Sequence, residues 1–261
     1  MLKQWIRNER GSVMTRTGDT LRRDPWWLEL LPTFLLLGGF FIYATWAALQ
    51  NNHYYVAPYL SPLYSPCVSA NCQHLTLPLI GRWWTLSPAI LILWIPGGFR
   101  LTCYYYRKSY YRAFFWAPPA CAIPDRARTY TGETRFPWLL QNIHRYFFWL
   151  GIPVVAFLWW DAFLAFRFPD GFGIGVGTIV LLVSVVLLSL YTISCHSCRH
   201  ICGGAINTFS ASPVRRGLWH RITQLNERHG AIAWVSLVAV WFADVYVRLL
   251  SMGVITDLRI L

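Results

Sequence analysis

The run from Phe172 to Ile201, FGIGVGTIVLLVSVVLLSLYTISCHSCRHI, decides the fold. It carries no charged side chain before Arg199, and it exceeds the roughly 20 apolar residues that a helix needs to cross the hydrocarbon core of a bilayer. Four more stretches pass the same test: Leu28 to Leu49, Thr85 to Tyr106, Trp138 to Phe166 and His229 to Met252. The expected fold is an all-α integral membrane protein, a five-transmembrane-helix bundle within residues 28–252. A basic arm at 1–27 precedes it and a short tail at 253–261 follows. The first stretch lacks a small-residue cleavage motif, so it reads as a retained helix and not as a signal peptide.

Composition agrees with this reading. Of 261 residues, 56% are hydrophobic and 13% charged, with a mean hydropathy of +0.38, whereas an ordinary soluble domain carries about 25% charge. Aromatic residues reach 17%, a load suited to rings placed at the lipid headgroups. Lys and Arg outnumber Asp and Glu by 23 to 11. A basic excess fits nucleic acid or membrane, and the hydrophobicity selects membrane, with no nucleic-acid partner.

Positive charge stays on the cytoplasmic side of a membrane protein. Nineteen of the 23 Lys and Arg residues fall in three blocks: six in the N-terminal arm, eight from Arg100 to Arg145 and five from Arg199 to Arg228. Arg82, Arg167, Arg248 and Arg259 make up the other side. The N-terminus is therefore expected in the cytoplasm and the C-terminus outside. The outer connection from Gln50 to Trp84 contains Cys67 and Cys72, close enough to form a small disulfide loop on an oxidising face. Arg167 to Gly171 is a reversal signal, and Pro96, Gly97 and Gly98 are expected to kink the second helix.

The unusual chemistry lies at the cytoplasmic ends of the helices. On a continuous helix Cys195, Cys198 and Cys202 share one face, and His196 and His200 stack beside it. Thr102-Cys103-Tyr104-Tyr105-Tyr106-Arg107-Lys108 repeats the pattern of Ser194 to His200: hydroxyl, Cys, three residues, Arg, base. The third and fifth helices begin on the same side, near His144 and His229. Two helix pairs then each supply one Cys and one His, so Cys103, His144, Cys195, Cys198 and His229 should gather near the cytoplasmic surface. Ionisable groups inside a membrane are expensive and usually face the bundle interior.

Several cofactors use such residues. Two His can hold a haem, which leaves the cysteines unused. Four Cys/His ligands can hold zinc, and four Cys an iron–sulfur cluster. A Rieske-type 2Fe-2S cluster, with two Cys on one iron and two His on the other, matches the pairing best. For any single cysteine, simple core packing stands as the alternative; Cys121 is assigned to that. His220 reads as an interfacial base, and His53 and His74 carry no assignment.

These residues resemble a family. The strings Gly97 to Lys108, Ala117 to Ala122, Ser194 to His200 and Asp244 to Arg248 resemble the single-chain membrane anchor of succinate dehydrogenase or fumarate reductase, respiratory complex II, of the actinobacterial type. The resemblance covers nearly the whole chain after Trp26. It implies an anchor without a succinate site, which docks the flavoprotein and iron–sulfur subunits, forms the quinone pocket and sits in a bacterial plasma membrane, with a higher oligomer of the complex as a possible assembly. Diheme members of that family use four histidines, and histidine is absent here from the first and second helices, so the Cys/His cluster is the natural replacement for haem b. Stand-alone copper or haem handling and a purely structural scaffold are the readings from other classes.

Quinone reduction needs donors for two ring oxygens beside an apolar slot. Tyr106, Arg107, His196 and Arg199 are the candidates, with lipid phosphate as the competing partner of the two arginines. The cluster is assigned to Cys103 and Cys195 on one iron and to His144 and His229 on the other, with Cys198 as the alternative thiolate. Thr102 and Ser194, each just before a thiolate, are expected to tune it through hydrogen bonds.

Overall fold

The computed structural model describes residues 24–67, 86–117, 120–121, 123, 143–204 and 208–261. Residues 1–23 of the basic arm, Cys72, the expected start of the second helix at Thr85 and that of the third at Trp138 lie outside the described residues. In chain order the helices are α1 (Leu31–Gln50), α2 (Pro88–Ile92), α3 (Trp94–Thr102), α4 (Tyr104–Tyr110), α5 (His144–Leu164), α6 (Val176–Ile193), α7 (His196–Gly203), α8 (Pro213–Glu227) and α9 (His229–Ser251). Among the described residues α1, α5, α6 and α9 are long and apolar enough to cross a membrane. Each is one continuous helix, the form that a lipid interior demands, and α5 carries Pro153 within it.

The stretch expected as one helix from Thr85 to Tyr106 is, over its described part, a stack of three short helices. The break falls at Cys103, whose backbone is extended (φ −65°, ψ 129°), and not at Pro96. Pro96 lies in the first turn of α3, where its missing N–H costs no intrahelical bond. The Thr102 hydroxyl donates back to the Gly98 carbonyl at 2.7 Å, a contact that bends helices. Gly98 is required here because a Cβ would strike the Phe147 ring of α5. The fourth expected helix breaks in the same way at Cys195 (φ −65°, ψ 146°). The expectation that Cys195, Cys198 and Cys202 share one continuous helical face is thereby corrected: Cys195 belongs to the break, and only the other two lie within α7.

Lipid tails are as apolar as leucine, so helices in a membrane associate through close packing and polar contacts. Small residues are buried on both α6 and α9, Ser184 on the first and Ala233, Ser236 and Ala243 on the second, while Gly177 of α6 leaves room for the Tyr59 ring. Outward-facing Leu35, Phe41, Ile42, Trp160, Val183 and Phe242 are exposed, as a lipid-facing surface is.

The end of the bundle away from Cys103 and Cys195 is tied by carboxylates. Asp244 of α9 is fully buried; it accepts hydrogen bonds from Tyr43 and Ser61 and pairs with Arg248 at 3.6 Å. Arg248 reaches Gln50 Oε1 and the Asn52 carbonyl, both at 3.1 Å, and lies over the Trp46 ring. Asp161 of α5 accepts from Ser65. The described part of the connection after α1, with its small hairpin of β1 (Tyr55–Val56) and β2 (Tyr59–Leu60), is thus pinned to α5 and α9, and the Tyr64 hydroxyl ties it to the Ala47 carbonyl of α1 at 2.7 Å. Cys67 is disulfide-bonded. The expected reversal at Arg167 to Gly171 is a second hairpin, β3 (Arg167–Phe168) and β4 (Gly171–Phe172), with Gly171 at φ +128°, where a side chain would be strained.

The C-terminal tail is fixed as well. Leu258 and Leu261 carbonyls accept from Val176 and Ile174 amides, and the Asp257 carboxylate accepts from Tyr59 and Tyr246 hydroxyls at 2.6 Å and from the Gly177 amide at 2.9 Å. That places an anion at the positive end of the α6 dipole.

Candidate functional site

The two helix breaks put a cysteine in equivalent places. In each, the hydroxyl residue ends one helix, the cysteine is extended, and a new turn begins with an arginine amide bonded to the cysteine carbonyl: Arg107 to Cys103 at 2.9 Å and Arg199 to Cys195 at 3.0 Å. The internal repeat seen in the sequence is therefore a repeat of backbone geometry.

Histidines at the ends of the neighbouring helices face these sulfurs. His144 Nε2 lies 3.1 Å from Cys195 Sγ, and His229 Nε2 lies 3.5 Å from Cys103 Sγ. Cys103, Cys195 and His229 are all at or below 2% exposure. Four of the five expected ligands, from four helix ends, are thus brought together; the contacts run cysteine to histidine. Cys198 packs against the same cluster but is only half-buried.

The remaining ring nitrogens fix the tautomers. His144 Nδ1 is 2.9 Å from Thr102 Oγ1, whose own proton goes to the Gly98 carbonyl. His229 Nδ1 is 2.7 Å from Ser194 Oγ, whose proton goes to the Tyr191 carbonyl at 3.1 Å. Each hydroxyl has spent its hydrogen, so it accepts from Nδ1–H, and each Nε2 keeps its lone pair toward a sulfur. Thr102 and Ser194, expected to tune a cluster through hydrogen bonds, make those bonds to the imidazoles. Asn226 of α8 donates to the Ser194 carbonyl at 2.7 Å, holding the break that the serine terminates.

Aromatic rings wall the cluster. Phe99 stacks on His144 (4.8 Å, 6°) and Tyr191 on His229 (5.0 Å, 10°). Arg100, a lone charge in the second expected span, lies over the Tyr191 ring at 4.8 Å and donates to Tyr106, to the Ala233 carbonyl and to Ser236. Sequence reading assigned no role to Arg100 or Tyr191. A charge within a predicted span was the available signal for the first; nothing marked the second.

The four expected quinone donors separate. His196 and Arg199 line a cleft of about 630 Å³ with Arg145, Trp149, His200 and Trp219. Arg199 is held there by Thr223 at 3.0 Å and by the Trp219 ring. Tyr106 does not line this cleft: it is buried, and its hydroxyl donates to the Ala233 carbonyl at 2.5 Å. Arg107 lies over Tyr104. Among the described residues no three His, Cys, Asp or Glu side chains converge as a group that could hold a metal ion.

Comparison with known proteins follows this geometry closely. The family described as actinobacterial succinate dehydrogenase subunit SdhC matches residues 28–253. A chain of the solved Mycobacterium smegmatis Sdh1 complex in the apo form is similar to this one at 44% identity, with a TM-score of 0.85, over 97% of this chain and 98% of that chain. No match was found among curated proteins. The chain belongs to the actinobacterial SdhC family, and with four spanning-length apolar helices it is a multi-pass membrane protein.

Proposed function

We propose that this SdhC-family subunit is the membrane anchor that holds the flavoprotein and iron–sulfur subunits of a succinate dehydrogenase at the cytoplasmic face and passes their electrons to quinone through a binuclear Rieske-type 2Fe-2S cluster. As an anchor it has no part in succinate oxidation itself. The proposal takes the stacked segment 88–110 as the fifth span, with the N-terminus inside on the strength of the nineteen-to-four charge division.

The observation that carries the cluster is the donor set. Two thiols and two imidazoles meet in the bundle as two cysteine–histidine pairs, and both imidazoles have Nδ1 on a hydroxyl and Nε2 turned to a sulfur, the orientation of a metal-ligating histidine. A mononuclear zinc site needs three or four donors converging on one ion, and no three converge here among the described residues; a binuclear cluster asks each iron for only two protein ligands. We assign Cys103 and Cys195 to one iron and His144 and His229 to the other, because thiolate and imidazole on separate irons define this cluster type. When bound, such a group supplies one-electron transfer at a potential raised by its histidines. The chain's residues orient it, exclude water through the Phe99 and Tyr191 rings, and fix the imidazole protons at Nδ1.

The quinone ring belongs in the cleft lined by His196 and Arg199. His196 is the exposed imidazole there, Arg199 the fixed donor, and Trp149 and Trp219 the apolar walls. This narrows the expected set of four, since the Tyr106 hydroxyl is spent on Ala233 and Arg100.

Electron paramagnetic resonance of the dithionite-reduced intact complex tests the reading. A Rieske-like signal, lost in His144→Ala and in His229→Ala while the signals of the iron–sulfur subunit remain, is the expected result. A low-spin haem spectrum with no such signal would overturn it.

A further inference from the structure

Tyr191 is the one fully buried tyrosine of the cluster whose hydroxyl completes no hydrogen bond among the described residues. Its carbon skeleton is well used: the ring stacks on His229, meets Phe99 edge-on at 5.2 Å and carries the Arg100 guanidinium over it. The group that the hydroxyl faces is the Cys103 thiol, with Arg100 and Tyr106 beside it. A buried hydroxyl without a partner costs about 1–3 kcal/mol, so its retention at this place calls for an acceptor. As a thiol, Cys103 is a weak one and is already engaged with His229. As a metal-bound thiolate it becomes a strong one.

Arg100 presents the same imbalance in charge. The ion pairs found among the described residues are Arg112 with Glu29, Arg248 with Asp244 and Arg259 with Asp170; the partners of Arg100 are a tyrosine, a carbonyl and a serine. An uncompensated guanidinium inside a bundle is expensive. Two ferric ions, two sulfides and two thiolates sum to zero charge, and adding one electron leaves a single negative charge. Arg100 is then its counter-ion.

We propose that Tyr191 and Arg100 set the redox potential of the group held by Cys103 and His229: the Tyr191 hydroxyl donates a hydrogen bond to the Cys103 sulfur, and Arg100 supplies a fixed positive charge beside it. Both act more strongly on the reduced form, which carries the extra negative charge, and both therefore raise the potential. The inference rests on the cluster proposed above. Tyr191 and Arg100 are positioning residues; neither is a ligand.

A redox titration of the purified intact complex, followed by paramagnetic resonance, separates the possibilities. Tyr191→Phe keeps the ring, its stacking on His229 and its contact with Arg100, and removes only the hydroxyl. The expected result is a wild-type signal whose midpoint moves to lower potential, with the reduced-to-oxidised ratio at fixed ambient potential falling about tenfold, the worth of a hydrogen bond to a charged acceptor. An unshifted midpoint overturns the inference and leaves the cluster standing. Should Tyr191→Phe lose the signal altogether, Arg100→Lys and Arg100→Gln decide. A midpoint kept by Lys and lowered by Gln supports the inference, and equal midpoints overturn it. No Cys/His-held signal in the wild type overturns both readings at once.

Discussion

Thr102 Oγ1 lies 2.9 Å from Nδ1 of His144, on the nitrogen opposite to the one that faces Cys195. The hydroxyl selects the tautomer, because its own proton is committed to the Gly98 carbonyl. Removing such a partner of a ligating histidine typically costs 10–100-fold in metal affinity or activity. Thr102→Val is expected to lower the iron bound to the anchor by about that factor under competition with a chelator. Thr102→Ser should restore it. Equal iron retention in the Val and wild-type complexes would dissociate the hydroxyl from ligation.

The thiols are distinguished by burial. Cys103 and Cys195 sit at the two helix breaks within reach of an imidazole, whereas Cys198 is half-buried in α7. Cys103→Ser and Cys195→Ser should each abolish the Rieske-like signal, and Cys198→Ser should keep it in full. Loss in Cys198→Ser with retention in Cys195→Ser would transfer the ligand role to Cys198.

The meeting of two thiols with two imidazoles was legible because such side chains at helix ends stand out against apolar runs. What lay beyond sequence reading was the turn of the backbone at Cys103 and Cys195. A 3.6-residue period presumes an unbroken helix, and no periodicity reports that Thr102 and Ser194 fold back onto carbonyls one turn earlier. With the break missing, Tyr106 reads as an interfacial donor; with it, the residue turns into the core. The helix Pro213–Glu227 escaped notice for another reason. Its arginines read as a charged loop, although Ile222 and Asn226, one turn apart, form its buried edge. Ser61 and Ser65 could not be read at all, since an irregular connection has no pattern to say which hydroxyl meets Asp244 and which Asp161.

The buried pair of Asp244 and Arg248 offers a stability test. Asp244 and Arg248 are 0% and 4% exposed, and removing one partner of a buried pair leaves an uncompensated charge, at a cost of about 3–5 kcal/mol. Arg248→Met is expected to destabilise by that order. Adding Asp244→Asn, which can still accept from Tyr43 and Ser61, should recover part of the loss. Thermal unfolding of the complex in detergent measures both; a double variant no more stable than Arg248→Met would deny that the pair is coupled.

The tail offers a test by pH. A hydrogen bond from Arg259 holds the Asp170 carboxyl below its ordinary value of 3.8, joining the β3–β4 hairpin to the C-terminus. Arg259 also lies over Phe168 and donates to the Leu261 carbonyl at 2.9 Å. A carboxylate with a lowered folded value contributes stability that is fully present above the unfolded value and is lost as pH falls through the folded one. The tether should therefore be intact at neutral pH and loosen only in acid, below 3.8, and added salt should weaken it because both side chains are exposed. Hydrogen exchange at the Ile260 and Leu261 amides, which bond to the Ile174 carbonyl, reports the tether directly. Corrected for the intrinsic pH dependence of exchange, protection should be flat from neutral pH to the ordinary carboxylate range and then fall. In Asp170→Asn it should be lower throughout and show no such acid step. A step of equal size in that variant would show that the pairing of Asp170 with Arg259 is not what holds the tail.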